Sequence, residues 1–175
     1  SAFFHDSSAS LIKNGEIIAA VQEERFTRIK FDSSFPINSI NYCLKYANIT
    51  IDQIDKIAYF EDSHLKFDRI INSYISFFPF SIKVFFLSLL IWIRNKLFIE
   101  LKIRKLLNFN KSLVFFKHHY SHASSAFFPS PFINSAILVI DAVGEWDCTS
   151  LSLGNKNKIE IIKTIKYPHS LGMLY

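Results

Sequence analysis

One pattern occurs twice in this chain and restricts the folds open to it. Near the start an apolar stretch runs to Asp6, and small residues follow. Next comes "SLIKNGEIIAAVQEER", in which two apolar runs flank Asn14-Gly15. That pair favours a two-residue hairpin turn, because both turn positions need positive φ. With Ala2–Phe4 ahead of it, the opening reads as three antiparallel strands. Near the end, "SAILVIDAVGEWDCTSLSLGNKNKIEIIKTIKY" repeats the order: an apolar strand ending at Asp141, a small-residue turn, a strand, a turn at Gly154-Asn155 and a third strand. The second copy is roughly five residues longer between the acid and the turn. Such self-similarity predicts a duplicated unit, with an acid at the tip of each first strand and a cleft between paired halves. Two unrelated meanders would leave the same trace.

Between the copies, "FPINSINYCLKYANI" reads as a helix: Pro36 suits a first turn, and Ile37, Ile40, Cys43, Leu44 and Ala47 share a face. "ITIDQIDKIAYFE" predicts a turn of helix and then a strand ending near Phe60, and "SLVFFK" a further short strand. From His64 to about Leu107 the text is apolar and mostly helical. Within it, Phe77–Ile93 resembles a membrane span, yet it contains Pro79, Ser81 and Lys83. The apolar run after Lys83 has only about ten residues where a span needs ~20. A buried or partner-covered helix is expected, with membrane-surface association through 77–93 as the alternative.

The segment "KHHYSHASSAFFPSPF", from Lys117 to Phe132, holds three of the chain's six histidines. If Lys117–Phe128 is a helix stopped by Pro129, His118 and His122 stand one turn apart on one face. Two imidazoles so spaced can reach one divalent ion. His119 points elsewhere, about 100° around the axis, and the small residues Ala123 to Ala126 allow close approach to a neighbour. The third ligand in view is Asp141. Two histidines and a carboxylate with open positions suit Fe(II), Zn or Mn, and such a metal can hold phosphate oxygens or polarise a carbonyl. A helix whose histidines only hydrogen-bond is the plain alternative.

Composition sets the remaining bounds. With 175 residues, half of them hydrophobic and 19 of them Phe, the chain is long enough for a well-covered core. Its net charge of +5 comes with no basic stripe interleaved with aromatics, so no nucleic-acid partner is expected. Cys43 and Cys148 match no metal or redox spacing and fit a reducing, cytoplasmic setting. The chain opens without Met or a signal peptide, on an apolar strand already in progress, and is expected to be a fragment.

Taken in order, "FFHDSSASLIKNGEIIAAVQEERFTRIKFDSSFP", "HHYSHASSAFFPSPF", "LVIDAVGEW" and "YPHSLGMLY" resemble the N-terminal half of the NodU/CmcH family of O-carbamoyltransferases. The resemblance implies an α/β, duplicated actin-like (ribonuclease-H-like) fold. Residues 1–135 would form the first repeat, with a hydrophobic helical insertion at about 64–107, and 136–175 the start of the second. It implies transfer of a carbamoyl group from carbamoyl adenylate to a hydroxyl of a sugar or natural product. The adenylate would be made from carbamoyl phosphate and ATP by a C-terminal domain that this chain lacks. It also implies Fe(II) held by His118, His122 and Asp141, together with a further aspartate downstream. Lys30, Asp141 and Gly172 would contact carbamoyl adenylate. His5 would be the catalytic histidine, with Asp6 orienting it. A tRNA threonylcarbamoyl-type transferase and a non-catalytic actin-like module are the other readings. Glu23, Glu24 and Arg25 are expected to pair or cap locally, and Glu145 and Trp146 are possible cleft residues.

Overall fold

The structure is a computed structural model that describes residues 1–80, 82, 85, 86, 89 and 98–175. It is mixed α/β, with small sheets, and divides into two compact units, 1–57 with 105–112 and 58–104 with 113–175.

In the first unit, β1 (Ser8–Lys13) and β2 (Glu16–Gln22) form the expected hairpin, paired antiparallel from Ser8↔Gln22 to Lys13↔Glu16. Asn14 and Gly15 turn it with φ of 53° and 86°, the left-handed backbone that a tight hairpin demands. The expected strand at Ala2–Phe4 is absent. Phe3 and Asp6 have φ of 65° and 49°, which a pleated strand cannot accommodate. Phe3 and Ser7 instead donate their backbone N–H groups to the carbonyls of Ser33 and Asp32. The opening is therefore two strands and a bent lead-in, and Asp6 does not end a strand.

After β2, the single turn α1 (Glu24–Thr27) stops at left-handed Arg28, and α2 (Ile37–Tyr46) lies on the hairpin. Glu23 fixes that placement. Its fully buried carboxylate accepts from the backbone N–H groups of Asn38 and Ser39 at 3.1 and 2.8 Å, and from the Asn38 amide and Ser39 hydroxyl at 2.7 Å each. The orphan donors of α2's first turn are thus satisfied from the end of β2. Beyond α2, a short 3₁₀ turn at Ile51–Gln53 leads into β3 (Lys56–Tyr59).

The second unit opens with α3 (Ser63–Ser76), whose N-cap Asp62 accepts from the N–H groups of His64 and Leu65. Next in the chain come helix α4 (Ile99–Leu107) and β4 (Ser112–Phe115), of which residues 105–107 and 112 belong to the first unit, and the N–H of Phe116 bonds the Tyr59 carbonyl. Helix α5 (His118–Phe127) matches the expected histidine helix. Strands β5 (Asn134–Ile140), β6 (Asp147–Asn155) and β7 (Lys158–Lys166) make an antiparallel meander, with Leu138 opposite Leu151 and Leu151 opposite Lys163. The last element is the single turn α6 (Leu171–Leu174).

Alternation along β5 turns Ile137 and Val139 inward against Ala123 and Phe127 of α5. Burying side chains of this size contributes ~1.5–3 kcal/mol each for the larger ones. The turn between β6 and β7 lies at Lys156-Asn157, two residues beyond the expected Gly154-Asn155. Gly154 sits inside β6 for a packing reason: a Cβ there would come within 2.6 Å of the Phe127 ring. Among the described residues no helix is long and apolar enough to cross a membrane. Much of the Phe77–Ile93 stretch lies outside the described residues.

Candidate metal centre

Three side chains of the second unit converge. The helix repeat places His118 and His122 on one face of α5, their rings 4.7 Å apart between centroids. Asp141 follows the last residue of β5. His118 Nε2 lies 3.0 Å from His122 Nε2 and 3.1 Å from Asp141 Oδ2, and one ligand atom from each residue falls within 4.8 Å of the other two. Two nitrogens bound at ~2.1 Å and at right angles to one ion would stand ~3.0 Å apart, so the spacing fits a shared cation. Proton chemistry serves the cluster poorly. Asp141 Oδ2 and His122 Nε2 both face His118 Nε2, which can offer them a single hydrogen, whereas one cation satisfies all three lone pairs. Among the described residues, His118 Nδ1 is buried without a hydrogen-bond partner.

The electrostatics favour ligand-ready protonation states. The hydrogen bond from His118 is the main influence pulling the Asp141 pKa down to about 2, helped by the Ala142 N–H and working against burial. Burial, then the His118 ring, hold the His122 pKa below the ordinary imidazole value. The cluster therefore presents a carboxylate and an uncharged His122 at neutral pH, the forms that bind metal.

Neighbouring residues hold these ligands in place. The N-cap of α5, Lys117, offers no side-chain acceptor. Glu145 supplies one: its buried carboxylate accepts from the His118 N–H at 2.9 and 3.0 Å and from the Asp62 N–H at 2.8 Å. One carboxylate thus anchors the first ligand's backbone and the residue that caps α3. Burial raises its pKa, against the pull of those N–H groups. Gly144 permits the approach, since a Cβ there would meet His119 Cδ2 at 3.0 Å and His118 Cβ at 3.3 Å. Roughly a quarter-turn around α5, buried His119 bonds Ser150 Oγ through Nδ1 at 2.9 Å. Gly172 packs against the Asp141–Ala142 peptide, where any Cβ would strike the Asp141 carbonyl. Ser170 Oγ donates to the carbonyls of Asp141 and Ala142 at 3.2 and 2.7 Å, so "HSLG" buttresses the acid-bearing loop.

The family model for the carbamoyltransferase N-terminus matches residues 1–175, the whole chain. The chain belongs to the carbamoyltransferase family. It is 44% identical to an uncharacterized protein of Synechocystis over 183 aligned residues, covering 100% of this chain and 30% of that protein. Identity is 35% to the nodulation protein NolNO of Sinorhizobium fredii, over 99% of this chain and 25% of NolNO. An uncharacterized protein of Methanocaldococcus jannaschii is 31% identical over 98% of this chain and 27% of its own length. This carbamoyltransferase chain spans under a third of each of these relatives.

Of the residues singled out in the sequence, His118, His122, Asp141 and Gly172 occupy one neighbourhood of the second unit. His5 and Lys30 belong to the first unit. There, exposed His5 bonds Asp6 Oδ2 through Nδ1 at 2.7 Å. Lys30 Nζ lies 4.9 Å from the centroid of the Phe31 ring. Glu24 pairs with Arg25 at 3.5 Å, while Glu23 caps α2. Trp146 donates to Asp68 Oδ2 at 3.0 Å. Sequence reasoning treated Glu145 only as a possible cleft residue and missed its role as a cap. The available signal was a helix starting at a lysine, which leaves its first N–H groups to be satisfied from elsewhere.

Proposed function

We propose that the protein carrying this chain transfers a carbamoyl group from carbamoyl adenylate to a hydroxyl of a sugar or natural product. Carbamoyl adenylate would be formed from carbamoyl phosphate and ATP in a part of the protein beyond this chain, and the two units would belong to a duplicated actin-like fold. The observation that carries the reading is the convergence of His118, His122 and Asp141 in a member of the carbamoyltransferase family. Family membership favours this reading over a tRNA-modifying transferase, and similarity to a nodulation protein supports a biosynthetic acceptor.

In the step itself the acceptor oxygen bonds the carbamoyl carbon, the mixed-anhydride bond to phosphate breaks, and AMP leaves. An alcohol is a poor nucleophile at neutral pH, so its proton must pass to a base within hydrogen-bond reach. His5, oriented by Asp6, takes that role, with the ring nitrogen not bonded to Asp6 accepting the proton. The Lys30 ammonium stabilises negative charge growing on the donor. His118, His122 and Asp141 would hold the divalent ion, with Fe(II) the choice the resemblance favours. When bound, it supplies Lewis-acid stabilisation of donor oxygens. Gly172, packed against the Asp141–Ala142 peptide, would lie beside the nucleotide, as the resemblance implies.

The test is metal content and carbamoyl transfer in the intact protein. His118→Ala and His122→Ala should each abolish iron retention and transfer. Unchanged metal content in both variants removes the site.

A further inference from the structure

Arg69, in the middle of α3, is a half-buried arginine that pairs with no carboxylate among the described residues. Its Nε is buried and meets no acceptor. Cations are seldom left this way, because leaving water costs free energy that a partner normally offsets. The neighbouring acids are committed elsewhere. Asp68 accepts from the Trp146 indole at 3.0 Å and from the Asn72 amide at 2.9 Å. Glu145 accepts from the N–H groups of Asp62 and His118. Burial pushes the Arg69 pKa down, against the nearby Tyr167, Cys148 and Glu145, but a guanidinium stays charged.

What the guanidinium does meet is a ring, 5.3 Å away at the Tyr167 centroid. An aromatic face orients the planar group without using any of its N–H donors. Tyr167 is itself fixed, since its N–H bonds the Trp146 carbonyl at 2.8 Å. Both residues border the metal centre. Trp146 follows Glu145, which anchors His118, and three residues beyond Tyr167 the Ser170 hydroxyl bonds the Asp141 carbonyl. An oriented guanidinium with unspent donors suits the paired oxygens of a phosphate or carboxylate.

We propose that Arg69 is a substrate-binding residue that recognises an oxyanion, with Tyr167 holding its guanidinium in place. The oxyanion belongs to one of the two substrates. The donor as its source rests on the carbamoyl-transfer reading: carbamoyl adenylate carries one phosphate, and AMP keeps it on leaving. The other source is an acidic group on the hydroxyl acceptor.

The experiment is titration calorimetry on the intact protein with inorganic phosphate, AMP and adenosine. Arg69→Gln should weaken phosphate binding about 10- to 100-fold, the loss of hydrogen bonds between charged groups. Arg69→Lys keeps the charge without the fork and should fall between Arg69→Gln and wild type. Tyr167→Leu removes the ring and should weaken phosphate about two- to fivefold. Adenosine and Co(II) affinities should stay at wild-type values in all three variants, which a merely structural role would not allow. AMP tells the sources apart. If Arg69→Gln loses the advantage of AMP over adenosine, the oxyanion is the donor phosphate. If that advantage stays while phosphate binding is lost, the oxyanion is the acceptor's. The proposal is overturned if wild type and Arg69→Gln bind phosphate equally, or if neither binds it. It also falls if adenosine and Co(II) affinities drop in step with phosphate in both Arg69 variants. Unchanged phosphate affinity with normal carbamoyl transfer in Arg69→Gln refutes the Arg69 assignment alone. Phosphate binding that depends on Arg69, in a protein that transfers no carbamoyl group, refutes the assigned activity alone.

Discussion

Glu145 offers the sharpest test of how this chain holds its ligands. Its carboxylate satisfies two backbone donors, His118 N and Asp62 N, in three contacts of 2.8 to 3.0 Å. Each hydrogen bond to a charged acceptor contributes about 1.5–3 kcal/mol. Against that stands the cost of keeping a carboxylate buried, visible in its raised pKa. Glu145→Ala should therefore destabilise the intact protein by ~2–4 kcal/mol, read as a lower urea midpoint. Glu145→Gln keeps the shape and one carbonyl acceptor but aims an NH₂ group at a donor, and should cost about half as much. The decisive readout is metal binding. With its backbone released, His118 should lose its set position, lowering Co(II) affinity about 10–100-fold, the usual effect of removing a partner of a ligand. The Co(II) absorption bands should shift, and Glu145→Gln should restore part of both. Should Glu145→Ala lose stability yet bind Co(II) with wild-type affinity and spectrum, the carboxylate is only a helix cap and the positioning argument fails.

Two further outcomes follow from the same geometry. Gly154→Ala would drive a methyl group into the Phe127 ring, which is wedged among Ala123, Ile137 and Val139, and should cost ~1–3 kcal/mol in a thermal melt; a wild-type melting temperature would refute that packing. Metal-free protein should lose stability on acidification in two windows. His122, held below its ordinary pKa, takes up a proton more readily when unfolded, so stability falls as the pH drops below about 6.5. Asp141, at about 2 when folded and 3.8 otherwise, contributes ~2 kcal/mol that is present above pH ~4 and lost as the pH falls through about 2. Urea midpoints across pH should show both slopes, and Asp141→Asn should erase the lower one.

What could be read from the sequence follows the range of the forces involved. The Asn14-Gly15 hairpin and the α5 helix rest on local signals, and both stand where expected. The pairing of His118 with His122 needs only the helical repeat. Asp141 joins them because the β5 strand ends where its apolar run does. Ala2–Phe4 looked like a strand by composition, but long-range bonds to Ser33 and Asp32 impose a bent path on it. Gly154 resembled a turn residue, yet it is there to admit an aromatic ring from a helix 27 residues upstream. The Glu145 cap spans the same separation and leaves no local mark, since neither partner reveals from its neighbours that the other will be near.

The pair of adjacent histidines at the start of α5 divides its labour across the helix. His118 faces Asp141 while His119, roughly a quarter-turn away, is tied to Ser150 of the sheet. That tie acts as an index pin on the cylinder: it sets the angle at which the ligand face is presented. Evolution is thereby denied the easy move of shifting the motif along the helix. A one-residue slip would trade the pin for a ligand and spoil both jobs at once.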